Sequence, residues 1–339
     1  MTAVVVAWIL LIAIAAYACG GGVDYGAGFW DLLAGGAERG RRPRWLIDHA
    51  MAPVWEVNNV WLIFVLVLMW TGFPVFFQTV FTALWLPLAL AAVGMVLRGA
   101  GFALRKPTKR LAQRRIYGAV FAISSLVTPF FFGTVVGGVA SGRVAPGTTA
   151  SADVWANTTS ILTGLLAVAA TALLGAVFLT ADARRFGADD LVGYFRLRAW
   201  IGCAMVVAVG VIGLSVTDPH TSYVHHGLTH GPGLFLVIAA AVALAVTAGL
   251  LAGPAAGYAR YSSVAVVALS VAAWGVAQRP YLVPTSLTVQ QGAGASAPLQ
   301  WMIIVAAVAL VLIGPAVVLL YRLDTHGVLE PLTDEDVTE

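Results

Sequence analysis

Charge is what this sequence has least of. Only 10% of its 339 residues are Asp, Glu, Lys or Arg, while 60% are apolar, against roughly 25% charged residues in an ordinary soluble domain. A soluble globular fold is excluded. Nucleic acid is not implied either, because the net charge is only +3 and the 19 basic residues lie in clusters. Cysteine is equally scarce. Cys19 and Cys203 both fall in apolar segments, so neither a disulfide framework nor a CxxC metal site is on offer. Ahead of the first apolar run, "MTAVVVAWILLIAIAAYACGGG", there is no Lys or Arg, which argues against a cleaved signal and for a retained first span.

Long hydrophobic runs are what the chain does have. A helix crossing about 30 Å of hydrocarbon needs roughly 20 mostly apolar residues. On that criterion the chain is an all-α integral membrane protein, a single polytopic domain over 1–339. Nine transmembrane spans are expected near 3–22, 58–76, 79–103, 116–140, 157–181, 197–216, 232–255, 262–279 and 300–322. Two four-helix bundles plus one extra helix would accommodate them. Nine crossings put the termini on opposite sides, and the basic residues say which. Seventeen of the 19, including Arg39 to Arg44, Arg98 to Arg115 and Arg184 to Arg198, fall on one side, leaving Arg143 and Arg279 on the other. The positive-inside rule then places the N-terminus outside and the C-terminus in the cytoplasm. The outer loops are too short to be folded domains, so the chain acts within or across the bilayer.

Ionisable groups at helix depth are costly and are functional candidates by default. Two stand out, Asp24 along span one and Glu56 just before span two. Because those spans are antiparallel neighbours, both carboxylates are expected at similar depth near the cytoplasmic face. A pair there would have raised and coupled proton affinities, which suits a proton relay. The alternative is two interfacial acids wetted by water. Asn58 and Asn59 could hydrogen-bond Glu56 or a water chain, or simply cap the start of span two. Asp31 shares a helix face with Asp24 but is expected at the water interface. Trp30, Trp45, Trp55 and Trp61 are expected to form an interfacial belt, with a quinone or haem contact as the minority reading. In "CGGGVDYGAGFW", Gly22 and Gly26 point to close helix packing rather than to a nucleotide loop.

All six histidines fall in loops or near a membrane surface. A buried haem needs an axial His, Met or Cys, and methionine in such spans is most often packing. The chain is therefore expected to ligate no haem of its own. The segment "HTSYVHHGLTH" lacks the helical pair with a carboxylate that would make a strong metal site, and is read as a polar loop.

Several segments, in order, resemble subunit II of the bacterial cytochrome bd-type quinol oxidases. They are "VDYGAG" near the end of span one, "APVWEVNNVWL", which is close to the family pattern A-P-x-W-[DE]-x-N-x-V-W-L, "FP" after span two, "LRGAGFALRK" after span three and "PYLVPTSL" before span nine. The resemblance implies a haem-free partner of a haem-bearing subunit I in the bacterial plasma (inner) membrane. The complex would oxidise quinol and reduce dioxygen to water with protons drawn from the cytoplasm. Haem b558, haem b595 and haem d are expected in the partner. This chain would supply no catalytic residue and no metal ligand; a structural quinone, bound lipid and small accessory membrane subunits are compatible with the family. The acids that match the family's proton route are Asp24 and Glu56, with Asn58, Asn59 and Trp55 in support. Glu56 replaces the commoner Asp, and Ala103 replaces a family acid in the "GF-D" element, so water or another side chain must substitute there.

Two rival readings are a proton-coupled secondary transporter, which predicts broken helices and inverted repeats, and a purely structural assembly subunit.

Overall fold

The computed structural model describes residues 1–36, 38–51, 55–105, 111–216, 219–253 and 256–325. It is built almost entirely of helices: α1 (Thr2–Leu32), α2 (Arg41–Met51), α3 (Trp55–Val67), α4 (Pro74–Ala83), α5 (Trp85–Arg105), α6 (Leu111–Ala140), α7 (Ala152–Trp155), α8 (Thr158–Arg185), α9 (Asp189–Ser215), α10 (Ser222–Thr229), α11 (Gly231–Ala252), α12 (Ala259–Ala277), α13 (Val289–Gly292) and α14 (Ser296–Thr325). Among the described residues eight helices are long and apolar enough to cross a membrane, and a ninth crossing is available if the bent pair Asn59–Gly72 and Pro74–Ala83 counts as one. In lipid every backbone polar group must be satisfied internally, which long helices do by themselves.

Helix α1 is the axis of the fold. It runs 31 residues, about 46 Å at 1.5 Å per residue, and so continues well beyond the apolar stretch that suggested a span ending at 22. It packs against α3, α6, α8, α12 and α14. Two apolar cores lie along it. One gathers Ala27, Phe29 and Trp30 with α8, α9 and the buried face of α2. The other gathers Ala3, Val6, Leu10 and Ala13 with α3, α4 and α14. Where α1 crosses α8 the backbones touch: a Cβ on Gly26 would overlap the Thr171 carbonyl oxygen, and one on Gly175 would overlap Gly26 itself. This is the small-residue packing expected from "GGGVDYGAG".

The second span departs from expectation. Instead of one helix over 58–76, α3 widens into a π-helical turn, Leu68–Gly72, and α4 leaves it at 115°. Pro74 is the cause. It lacks an N–H, and its ring pushes the preceding residue out of the helical region, so Phe73 sits at φ −137°, ψ 65°. The freed Gly72 carbonyl accepts a bond from the Gly294 amide, 2.8 Å away.

Between α12 and α14 a short antiparallel hairpin, β1 (Tyr281–Val283) with β2 (Leu287–Thr288), turns through Thr285 at φ 61°. Its buried Leu282, Val283 and Leu287 join the core around the start of α1. The histidine-rich segment, expected as a loop, contains α10; the His226 ring stacks on that of His230 at 4.1 Å, and His225 Nε2 lies 3.0 Å from the Leu214 carbonyl. Its neighbours come from the end of α6 and from the end of α12 with the turn after it. The Tyr223 hydroxyl donates to the Arg279 carbonyl at 2.6 Å, and Ala140, Val224 and Ala277 form a small core. The end of α6, helix α10 and the end of α12 therefore meet at one end of the bundle.

Candidate functional site

Asp24 lies two-thirds of the way along α1 and is only 4% exposed. Around it, α1, α5 and α6 contribute polar groups to an otherwise apolar interior. The Tyr17 and Tyr25 hydroxyls are 3.0 Å apart, two helical turns separating them on the same face of α1. The Arg98 guanidinium lies 4.8 Å from the Tyr25 ring centroid and 5.2 Å from that of Phe121, and its Nε donates to Ser125 Oγ at 3.2 Å. Two atoms in this cluster, Arg98 Nη2 and Thr128 Oγ1, are buried with no hydrogen-bond partner among the described residues. Buried polar atoms are almost always satisfied by protein or by ordered water.

Seven residues further along α1, about 10 Å at helical rise, Asp31 anchors a second cluster. It is 2% exposed, which corrects the expectation that it would lie at the water interface. Arg105 Nη1 donates to Asp31 Oδ2 at 2.6 Å and Arg44 Nε to Asp31 Oδ1 at 2.7 Å. Arg105 also lies 3.5 Å from Asp48. A buried carboxylate is tolerated only when paired in this way. Trp30, expected in an interfacial belt, is instead core: 3% exposed, with Nε1 donating to the Ala172 carbonyl at 2.8 Å. At the exposed edge, Arg42 and Asp190 pair at 2.8 Å, and the Asp190 hydrogen bond holds the Arg42 guanidinium above its usual range.

The spacing explains both clusters. Asp24 and Asp31 stand seven apart on α1, and Arg98 and Arg105 seven apart on α5. The buried face of α5 is Pro87, Ala91, Gly94, Arg98, Gly101 and Arg105, alternating steps of four and three. From the sequence both arginines count as surface charges flanking a span. The signal that could have found them is this periodicity, which places each arginine on the same stripe as small residues that let helices approach.

The remaining expected residues are placed as follows. The backbones of Trp55, Glu56 and Asn58 belong to the first turn of α3, but their side chains lie outside the described residues. Asn59 is half-buried. As both asparagines are within α3, neither is its cap. Ala103 is exposed on α5, so the family acid it replaces would point away from the interior of this chain. No described histidine is buried, Cys19 Sγ donates to the Val264 carbonyl at 3.7 Å, and Cys203 packs in the core. These residues do not fit a haem site.

The family model for cytochrome bd terminal oxidase subunit II matches residues 2–324. The chain belongs to that family. Among curated proteins it is 25% identical over 114 residues to the cytochrome bd ubiquinol oxidase subunit 2 of Bacillus subtilis, covering 34% of this chain and 33% of that protein. To the cytochrome bd-I ubiquinol oxidase subunit 2 of Escherichia coli K12 it is 24% identical over 136 residues, covering 40% and 35%. The aligned parts thus span about a third of the length of these relatives. A chain in the solved bd oxidase from Geobacillus thermodenitrificans has the same fold, with TM-score 0.75 at 23% identity over 95% of this chain and 98% of that one. Family and apolar helices together make this a multi-pass protein of the bacterial plasma membrane.

Proposed function

We propose that this chain is the haem-free subunit of a bd-type terminal oxidase that oxidises quinol and reduces dioxygen to water. It would scaffold a haem-bearing subunit I and carry protons toward it from the cytoplasm. The redox chemistry comes from the partner's haems; what this chain adds is a path for protons through low dielectric, where a bare charge is prohibitive. The observation that carries the reading is Asp24, a carboxylate buried deep in α1 beside Tyr17, Tyr25, Arg98 and two orphaned polar atoms.

In this reading Glu56 takes protons at the start of α3 and Asp24 receives them, with Asn58, Asn59 and Trp55 lining the entry. Arg98 supplies the countercharge that a buried carboxylate needs, and Tyr17 and Tyr25 supply hydroxyls that both donate and accept. Water at Arg98 Nη2 and Thr128 Oγ1 would bridge the ends. Family membership supports the oxidase setting.

A purely structural role is the second reading, favoured by the Asp31–Arg105–Arg44 ties, which lock helices together without needing to titrate. The transporter reading draws on one observation, the broken helix at Phe73, and the family match stands against it. Asp24→Asn and Glu56→Gln separate relay from scaffold. In the purified oxidase each is expected to leave haem content intact while oxygen consumption falls tenfold or more, the scale of a lost proton carrier being about 10²-fold. Full turnover in both variants rules the relay out.

A further inference from the structure

At the end of the molecule opposite the Asp31 cluster, the first turns of α1, the last turn of α12 and the β1–β2 hairpin enclose a cavity of about 330 Å³. Its α1 wall is Val4, Ala7, Trp8, Leu10, Leu11 and Ile14, one helix face extending about 15 Å at helical rise. That is half of a hydrocarbon core about 30 Å thick, the depth of a single leaflet.

The cavity is mostly apolar, with polar groups at Trp274, Gln278 and Arg279 on and just after α12 and at Tyr281, Thr288 and Gln290 from the hairpin and α13. Among the described residues neither Trp274 Nε1 nor Gln278 Oε1 has a hydrogen-bond partner, though both atoms are buried, and Gln278 is 7% exposed. One is a donor and the other an acceptor. They stand one turn apart, and such orphaned atoms call for a ligand. Beside them the exposed Arg279 guanidinium lies 5.2 Å from the Trp8 ring centroid, and among the described residues no carboxylate pairs with it.

We propose that this cavity binds one anionic glycerophospholipid with a hydroxylated head, of the phosphatidylglycerol class. The phosphate sits at Arg279, a head hydroxyl donates to Gln278 Oε1, an ester carbonyl accepts from Trp274 Nε1, and one acyl chain lies along the α1 face. An oxidised quinone answers these groups poorly: its carbonyls only accept, and it brings no negative charge to Arg279. A phosphatidylethanolamine places a second cation beside the arginine.

The test uses the intact complex, purified in mild detergent and washed until bulk lipid is gone, with retained lipid quantified by mass spectrometry. Photoactivatable phosphatidylglycerol carrying a diazirine on its acyl chain locates the binding in vesicles of that lipid. The expected result is about one phosphatidylglycerol per complex, crosslinked within residues 4–14 or 274–290, and retention about tenfold lower in Arg279→Gln and in Trp274→Phe, as for loss of one strong hydrogen bond. Arg279 is on the surface, so its variant keeps the fold. Undiminished retention in both variants overturns the proposal. So do crosslinks confined to other helices, or release of a quinone or of phosphatidylethanolamine by these same substitutions.

Discussion

Arg98 and Arg105 are two of the seven basic residues around the third connection, and in a membrane sequence that cluster reads as a topology signal. The structure gives them a second role. Each lies below 9% exposure and meets an acid or polar group that hydropathy alone marks only as expensive. Asp24 was legible as a candidate because a lone carboxylate in an apolar run is too costly to be incidental. Asp31 was not, since nothing local to it says that Arg44 and Arg105, 13 and 74 residues away, fold back over it. This pairing makes a prediction for Arg105→Ala. Removing one partner of a buried ion pair costs about 3–5 kcal/mol, and the surviving Arg44 keeps the loss near the low end, about 3 kcal/mol. Arg105→Lys keeps the charge but loses the fork that reaches both Asp31 and Asp48, so it should recover part of that. Thermal unfolding of the purified complex measures both, and equal midpoints for wild type and Arg105→Ala would show the cluster to be solvated.

Helix ends and breaks were the least legible elements. Span one was expected over 3–22, on the length of its apolar run. Yet α1 runs on to Leu32, since Gly22 and Gly26 face α8 and their loss of propensity is offset by close contact. The 115° break at Phe73 follows from Pro74, a residue visible in the sequence, but the direction of the turn depends on the Gly294 amide, far away in the chain. The tight crossing yields a contrast between two glycines. Gly26→Ala drives a methyl into the Thr171 carbonyl, and overpacking of this kind costs about 1–3 kcal/mol; α1 and α8 must separate, lowering the yield of assembled protein. Gly193→Ala, in α9, meets nothing within 4 Å and should raise stability by about 0.5–1 kcal/mol through helix propensity. Equal effects at the two positions would show that α1 and α8 do not touch at Gly26.

At the scale of the molecule, the bent pair decides parity. Apart from α3 and α4, eight helices among the described residues can cross, which would leave both ends of the chain on one side. The buried clusters argue against that arrangement. Asp31, near the C-terminal end of α1, meets Arg105 at the C-terminal end of α5, and Tyr25, six residues earlier on α1, meets Arg98, seven residues earlier on α5. Helices α1 and α5 therefore run parallel, and two parallel crossings need one return between them. Among the described residues the bent pair α3 and α4 is the apolar stretch between them that can supply it, so the parallel helices support counting that pair as a ninth crossing, which would put the two ends of the chain on opposite faces. Which face is which rests on the basic residues of α2 and of the α8–α9 connection. It can be read directly with single cysteines. Cys203 is buried and Cys19 half-buried, giving a low background for labelling in intact cells. Ser151→Cys, in the exposed connection before α7, should react with a membrane-impermeant maleimide added outside, while Asp189→Cys, exposed at the start of α9, should react only after the membrane is opened. The reverse pattern would invert the molecule and place Glu56 on the outside, where it could not draw protons from the cytoplasm.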